Sequence, residues 1–332
     1  MKRVLIVGSG FAGSTFARLA AEKGIEVHVI DQKDHIGGNC YSYSDVETGI
    51  EIHKYGPHIF HTNYEEVYEF ISRFTKFNNY VNRVKAVSNN KVYSLPINLH
   101  TINQFFGKNL SPKEAEEFID GKRVKFDEIS NFKEFVLNSL GYELYKAFFR
   151  DYTIKQWGKP PEEIPLSTAK RLPIRYNYND NYFNDKYQGI PTNGYGSVFE
   201  RILDHKNITI TLNTSFTDVK NKWKNEYDYL IFTGSIDLYF DYCHGYLPYR
   251  TVWFEEIRDC EIQGNAVINY SDMSVPYTRI HEHKYFTPEK EFKKSVAFKE
   301  FSKKTDSQNN PYYAIENYES KLLIEKYNKL AG

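Results

Sequence analysis

The chain has 332 residues, enough for one large domain or two modest ones with a sizeable buried core. Lysine plus arginine and aspartate plus glutamate both come to 43, and this formal neutrality argues against a nucleic-acid or anionic-membrane partner. No apolar run reaches the roughly 18–20 residues of a membrane span. Three cysteines without a C-x-x-C pair give neither a disulfide framework nor a zinc site, so a reducing cytoplasm is the expected compartment.

The opening "MKRVLIVGSG" reads as a first strand, not a signal peptide, because glycines and a polar helix follow its apolar run. Val4 to Val7 is continuous, as in a buried parallel strand. A helix follows, with Phe16, Leu19 and Ala20 as its expected apolar stripe and Gly24 as its stop, and then a second strand from Val27 to Ile30. The turn between strand and helix is Gly8-Ser9-Gly10-Phe11-Ala12-Gly13. This G-x-G-x-x-G opens a helix and is answered by Asp31 at the end of the next strand, the context that makes it a dinucleotide signature. Gly8 permits the turn and Gly10 lets backbone N–H groups reach a pyrophosphate. Gly13 lets helix pack on sheet, and Asp31 can accept from ribose hydroxyls. Gly37-Gly38, six residues beyond Asp31, lets a second loop pass close to the cofactor and favours FAD over NAD.

"KYGPHIFHT" places His58 and His61 after a Gly56-Pro57 turn, with His53 upstream. Metal ligands, a general base with its partner, or a cofactor wall are the choices. No carboxylate or cysteine cluster accompanies these histidines, so no metal is expected and a flavin wall is favoured. Ser111 to Trp157 is helical by pattern, with Ser111-Pro112 as its start. Arg175 to Gly189 is polar, aromatic and aperiodic, and reads as a loop. "YDYLIFTGS" reads as another strand of the first sheet, and "YRTVWFEEI" and "GNAVINYSD" as further strands. His281-Glu282-His283 alternates as a strand would, which puts both histidines on one face in a structural role.

"HIGGNCYS", "IHKYGPHIFHT", "YTIKQWGK", "KRLPIRY", "NYFNDKYQGIP", "GNAVINYSD" and "VPYTRIHEHK" occur in an order that resembles the UDP-galactopyranose mutase family from residue 1 to about Tyr313. The resemblance implies an α/β fold: a Rossmann-like FAD-binding core (1–80 and 190–245) with an inserted helical domain (100–165). It also implies an antiparallel β substrate domain (81–99 and 246–300), a mobile loop (166–189) and a return toward the FAD domain (301–332). The implied reaction interconverts UDP-galactopyranose and UDP-galactofuranose through a flavin N5–sugar adduct. It involves no net redox, requires FAD kept reduced by an external reductant such as NAD(P)H, and serves cell-surface polysaccharide synthesis. A homodimer is left open.

Departure of UDP builds charge on a diphosphate, which calls for arginines. By resemblance Arg171 sits on the closing loop and Arg279 binds the diphosphate, with Arg250 a further candidate and Arg175 a helper. The resemblance stacks Tyr152 on uracil, with Asn82, Thr153, Trp157 and Asn269 along the nucleotide. Tyr182 and one of Tyr312 and Tyr313 reach the phosphates. Gly8, Gly10, Phe11, Gly13, Asp31, Gly37, Gly38 and Asn39 are the cofactor positions, together with His58 and Ile59 beside the isoalloxazine. His58 is also carried as a catalytic candidate.

The family's Gly-Gly-Arg strand, which contacts FAD beyond the Pro-Tyr-Tyr motif, does not follow here. One amphipathic helix (Leu322, Leu323, Tyr327, Leu330) ends the sequence, so the C-terminal FAD-closing segment is expected to be missing and turnover by this chain stays open. Three other readings remain: an inactive or fragmentary UDP-sugar binder, a mutase for an N-acetylated UDP-sugar, and a flavin amine oxidase-like oxidoreductase.

Overall fold

The computed structural model describes residues 2–169, 173–306, 310–315 and 317–331. They divide into two units, residues 1–80, 185–243 and 287–292 in the first, and 81–184, 244–286 and 293–332 in the second.

In the first unit four parallel strands run in the order Tyr229–Phe232, Arg3–Val7, Glu26–Ile30, Ile208–Thr211. The first strand of the chain is flanked by neighbours on both sides and buried accordingly, with Val4, Leu5 and Ile6 at 4%, 1% and 0% exposure. The order reverses at this strand, and the crevice at its carboxyl end is where doubly wound sheets bind ligands. The crossover to the second strand is the helix Phe11–Glu22. Its buried face is Gly13, Ser14, Ala17, Ala20 and Ala21. Phe16 and Leu19, expected in the apolar stripe, are instead 42% and 43% exposed. The reason is the closeness of helix and turn: a Cβ on Gly13 would lie 1.9 Å from the Gly8 carbonyl oxygen. At that separation the interface accepts glycine, serine and alanine and excludes larger side chains.

The second unit is built on a seven-stranded sheet. Its order is Tyr313–Ala314, Tyr249–Asp259, Ser295–Lys304, Arg279–Glu282, Val267–Tyr270, Val84–Ser88, Lys91–Leu95. Helices Leu99–Phe106, Pro112–Asp120 and Phe132–Leu140 share one core with this sheet, in which Ala86, Tyr93, Ile102, Ile119, Leu140 and Phe148 are buried. The stretch from Ser111 to Trp157 is not one helix. Ser111 closes a capping box with Glu114, the first helix ends at Asp120 before Gly121, and Asn131 caps the next at the Glu134 N–H. A further helical run from Tyr142 to Trp157 contains a π-helical stretch over Tyr145–Arg150.

Two more local expectations are corrected. Within the aperiodic loop 175–189, Tyr187–Gly189 pairs antiparallel with Phe60–Thr62. The strand carrying His281 stops at Glu282, and His283 begins a 3₁₀ turn, so the alternation does not extend to it. Tyr313–Ala314 adds to the edge of the large sheet at Tyr249–Arg250, and the Tyr327 hydroxyl donates to the Gly245 carbonyl at 2.6 Å.

Candidate functional site

In the first unit the two glycine motifs meet. Gly37 N donates to the Ser9 carbonyl at 3.0 Å, and a Cβ on Gly38 would stand 3.2 Å from Gly10 Cα. Gly38 also has φ +58°. Only glycine satisfies both the approach and the conformation, so the two loops form a single backbone-lined cradle. Asn39 follows in the same turn and accepts from Lys33 Nζ at 2.6 Å, while burial pushes the Lys33 ammonium down to about 8. Phe11 packs on Phe199, ring centroids 4.6 Å apart, and so anchors the helix start.

Asp31 is engaged by its own turn. Its Oδ2 accepts from Ser9 N at 2.8 Å and Ser9 Oγ at 2.6 Å, and its Oδ1 accepts from Lys33 N at 3.0 Å. The carboxylate thus clamps the glycine turn and keeps acceptor capacity on Oδ1. Beside it opens a cleft of about 450 Å³, part of it open to solvent, lined by Gly8, Asp31, Gln32, Thr214, Phe216 and Thr233. A backbone cradle next to a cleft with a carboxylate suits the pyrophosphate and adenosine of a dinucleotide.

The three histidines do not converge on a common centre. His58 Nδ1 donates to the Gly56 carbonyl at 2.9 Å, which leaves Nε2 as the acceptor nitrogen of the neutral ring. Its backbone N–H is received by Nδ1 of buried His53 at 3.2 Å. His61 is exposed and pairs with Asp185, Nδ1 to Oδ2 2.6 Å. Ile59 lies half-buried between them. Among the described residues no group of three His, Cys, Asp or Glu is placed to hold a metal ion.

In the second unit Arg279 is the centre. It sits on the strand Arg279–Glu282, opposite Asn269 on one side and Glu300 on the other. Its Nε donates to Glu300 Oε2 at 2.9 Å and its Nη2 to the Tyr313 hydroxyl at 3.3 Å. Burial would lower the Arg279 pKa, but Glu300, Tyr152 and Tyr313 raise it well above the ordinary guanidinium value. Burial in turn raises the Tyr152, Tyr182 and Tyr313 phenols against the opposing pull of the Arg279 charge. All three therefore stay protonated as donors around one fixed cation, a set suited to phosphate oxygens.

Other expected positions attach to this cluster by different routes. Trp157 approaches Tyr313, centroids 6.4 Å apart. Asn82 is buried and its carbonyl accepts from Tyr182 N at 2.8 Å. Thr153 is buried in the helix that carries Tyr152. Arg250 is committed to that helix's end, donating from Nε to the Gln156 carbonyl at 3.0 Å and from Nη2 to the Lys155 carbonyl at 3.3 Å. It neutralises the carbonyl end of a helix. Tyr312 donates its backbone N–H to the Arg250 carbonyl, so of the two tyrosines it is Tyr313 whose hydroxyl meets Arg279. Arg175 donates to the Asn179 and Asn181 carbonyls at 3.1 and 2.5 Å and holds its own loop together. Arg171 lies outside the described residues.

Sequence reasoning missed Ser9 and Glu300. Glu300 left one trace: it falls in phase with the buried Val296 and Phe298 along its strand, where an acid is out of place unless paired.

The sequence family described as UDP-galactopyranose mutase matches residues 147–332, more than half of the chain. The chain belongs to that family. An NAD(P)-binding Rossmann-like domain also matches over residues 6–74. Among relatives of this mutase, a protein named dTDP-fucopyranose mutase from Escherichia coli is 46% identical, over 100% of this chain and 89% of its own length. A probable UDP-galactopyranose mutase from Klebsiella pneumoniae is 47% identical over 99% of this chain and 86% of its own. The UDP-galactopyranose mutase of Mycoplasma genitalium is 32% identical over 99% and 86%. A crystal structure of reduced UDP-galactopyranose mutase covers 100% of this chain and 79% of its own with a TM-score of 0.64, and at 17% identity it bears on fold alone. The chain is a flavin-dependent sugar-nucleotide mutase, an isomerase, and no described helix is long and apolar enough to cross a membrane.

Proposed function

We propose that this mutase interconverts UDP-galactopyranose and UDP-galactofuranose using reduced FAD. The Arg279 cluster is the observation that carries the substrate half of this reading: one guanidinium fixed by a buried carboxylate, with the Tyr313 hydroxyl 3.3 Å from its Nη2 and the Tyr152 and Tyr182 phenols within its electrostatic reach. Breaking the anomeric C–O bond leaves negative charge on the diphosphate, and preorganised donors stabilise that charge without reorganising. In this reading Arg279 neutralises it, Tyr182 and Tyr313 donate to phosphate oxygens, and Tyr152 offers its face to uracil. Asn82, Thr153, Trp157 and Asn269 lie along the nucleotide, and Arg250 fixes the helix behind them.

FAD fits the joined glycine cradle, its ribose on Asp31 and its pyrophosphate at Gly8, Gly10 and Gly38, with His58 and Ile59 beside the ring system. Reduced flavin supplies a nucleophile for the anomeric carbon and is regenerated, so no redox equivalents are consumed. NAD(P)H in the cytoplasm is the reductant in this reading.

The near-equal identity to relatives named for UDP-galactopyranose and dTDP-fucopyranose makes dTDP-fucose the second substrate to test. Competition between the two nucleotides for the dithionite-reduced protein, followed by chromatography of pyranose and furanose forms, decides between them. Preferred conversion of UDP-galactose supports the proposal; preferred conversion of dTDP-fucose replaces it.

A further inference from the structure

Lys155 lies on the helix Asp151–Trp157, between Tyr152 and Trp157, yet its ammonium is turned to neither of them. Nζ donates to four backbone carbonyls at once: Tyr270 at 2.6 Å, Asp272 at 3.0 Å, Val275 at 2.9 Å and Tyr277 at 3.0 Å. Tyr270 ends the strand Val267–Tyr270, and the other three lie in its connection to the strand Arg279–Glu282. The four carbonyls thus begin one residue past Asn269 and end two residues before Arg279. The connection is closed at its base by Tyr270 N donating to the Thr278 carbonyl at 2.8 Å, and tied at Ser271 N to the Val87 carbonyl at 3.0 Å.

An ammonium has three N–H groups, so four convergent carbonyls share them, and the turn is organised around a point charge as it would be around a bound cation. The planar, forked guanidinium of arginine does not match four oxygens aimed at one point. Removing the charge takes a donor from all four carbonyls; the Asp272 carbonyl keeps the Val275 N–H at 3.2 Å, and hydrogen bonds lost by inward-facing groups are costly to leave unmade.

We infer that Lys155 is a positioning residue for sugar-nucleotide binding: it holds the Asn269–Arg279 turn against the helix carrying Tyr152 and Trp157 without touching the ligand. This rests on the reading of Arg279 and Tyr152 as nucleotide ligands. A role in folding alone would lower thermal stability and leave affinity untouched; positioning predicts a selective loss of affinity.

The test uses the flavin-loaded protein and UDP as probe. Lys155→Met is expected to weaken UDP binding and raise KM for the sugar nucleotide about tenfold or more, a loss typical of unpaired buried groups, with kcat and flavin content changed far less. Amide exchange over residues 270–278 is expected to quicken in the same variant. Lys155→Gln, which keeps a donor, serves the same measurements if the methionine form does not fold. Lys155→Cys alkylated with 2-bromoethylamine rebuilds the ammonium and is expected to restore affinity, whereas Lys155→Arg is not; the similarly treated parent controls for Cys40, Cys243 and Cys260. Unchanged exchange over 270–278, or UDP affinity within twofold of the parent in both uncharged variants, overturns the inference. Failure of the parent itself to bind UDP overturns the nucleotide reading instead, and the exchange measurement tells the two apart.

Discussion

Arg279 and Glu300 face each other across neighbouring antiparallel strands, Nε to Oε2 at 2.9 Å, with the carboxylate side chain 1% exposed and the arginine side chain 25%. His281, on the same strand as Arg279, places Nε2 3.4 Å from the same oxygen. The carboxylate thus has a structural partner on one side and the proposed diphosphate ligand on the other. Breaking such a pair from either side leaves a buried charge uncompensated.

Arg279→Ala is therefore expected to abolish detectable furanose formation while leaving bound flavin at the parental level, because the cofactor cradle lies in the other unit. Glu300→Gln is expected to cut turnover by about 30-fold or more, as losing one partner of a buried hydrogen-bonded charge pair costs roughly 2–5 kcal/mol. Steady-state turnover with dithionite-reduced protein, read beside the flavin absorbance, checks both. Turnover within threefold of the parent for Arg279→Ala would remove this residue from the site.

The clamp of Asp31 on Ser9 predicts that Ser9→Ala weakens flavin binding although Ser9 need never touch the cofactor. A hydrogen bond to a charged group contributes about 1.5–3 kcal/mol, so the loss should be about tenfold or more in affinity. Asp31→Ala, which removes the clamp and the proposed ribose acceptor together, should lose more. Flavin titration by fluorescence quenching measures both.

Gly13→Ala tests why the first helix lies so close to its turn. The added methyl would stand 1.9 Å from the Gly8 carbonyl oxygen, so helix or turn has to move. We expect destabilisation of at least about 1–3 kcal/mol, the usual cost of overpacking, with loss of flavin. Gly24→Ala, where a Cβ meets nothing within 4 Å but φ is +79°, is expected to cost less and to spare the flavin. Chemical denaturation of the two variants separates closeness from backbone conformation.

Burial of His283 pushes its pKa from 6.5 down to about 3. The neutral ring is favoured in the folded protein, while the unfolded chain takes up a proton below its ordinary pKa. The stability from this residue is therefore complete above pH 6.5 and is lost progressively as pH falls toward 3, by about 1.4 kcal/mol per unit. His283→Phe, placed against Phe298 at a ring separation of 4.7 Å in the parent, is expected to flatten that slope of melting temperature against pH. An unchanged slope would show that other groups govern acid unfolding.

What the sequence revealed and concealed follows from the range of the interactions involved. The strand–turn–helix around Gly8 to Asp31 was legible because its glycines, apolar run and acid act within about one βαβ unit. The first helix's buried face was misjudged because hydrophobicity alone does not report how closely Gly13 brings the helix to its turn. The motif residues Tyr152, Tyr182 and Arg279 stood out by resemblance, but the pairing of Arg279 with Glu300 comes from strand pairing between distant segments. Lys155 was invisible for the same reason: its partners are backbone carbonyls, which carry no sequence signature. That Tyr313 rather than Tyr312 meets Arg279 was not legible either, because it depends on the edge-strand pairing with Arg250.

In the proposed reaction this chain moves a sugar between ring forms while its flavin is regenerated. The most direct measurement follows UDP-galactose labelled at the anomeric carbon by NMR, with the flavin-loaded protein and a substoichiometric, measured amount of dithionite. The furanose anomeric signal is expected to grow until many product molecules have formed per reducing equivalent, and oxidised protein is expected to form none. One reducing equivalent consumed per product, or no furanose signal from protein with reduced FAD bound, would contradict it.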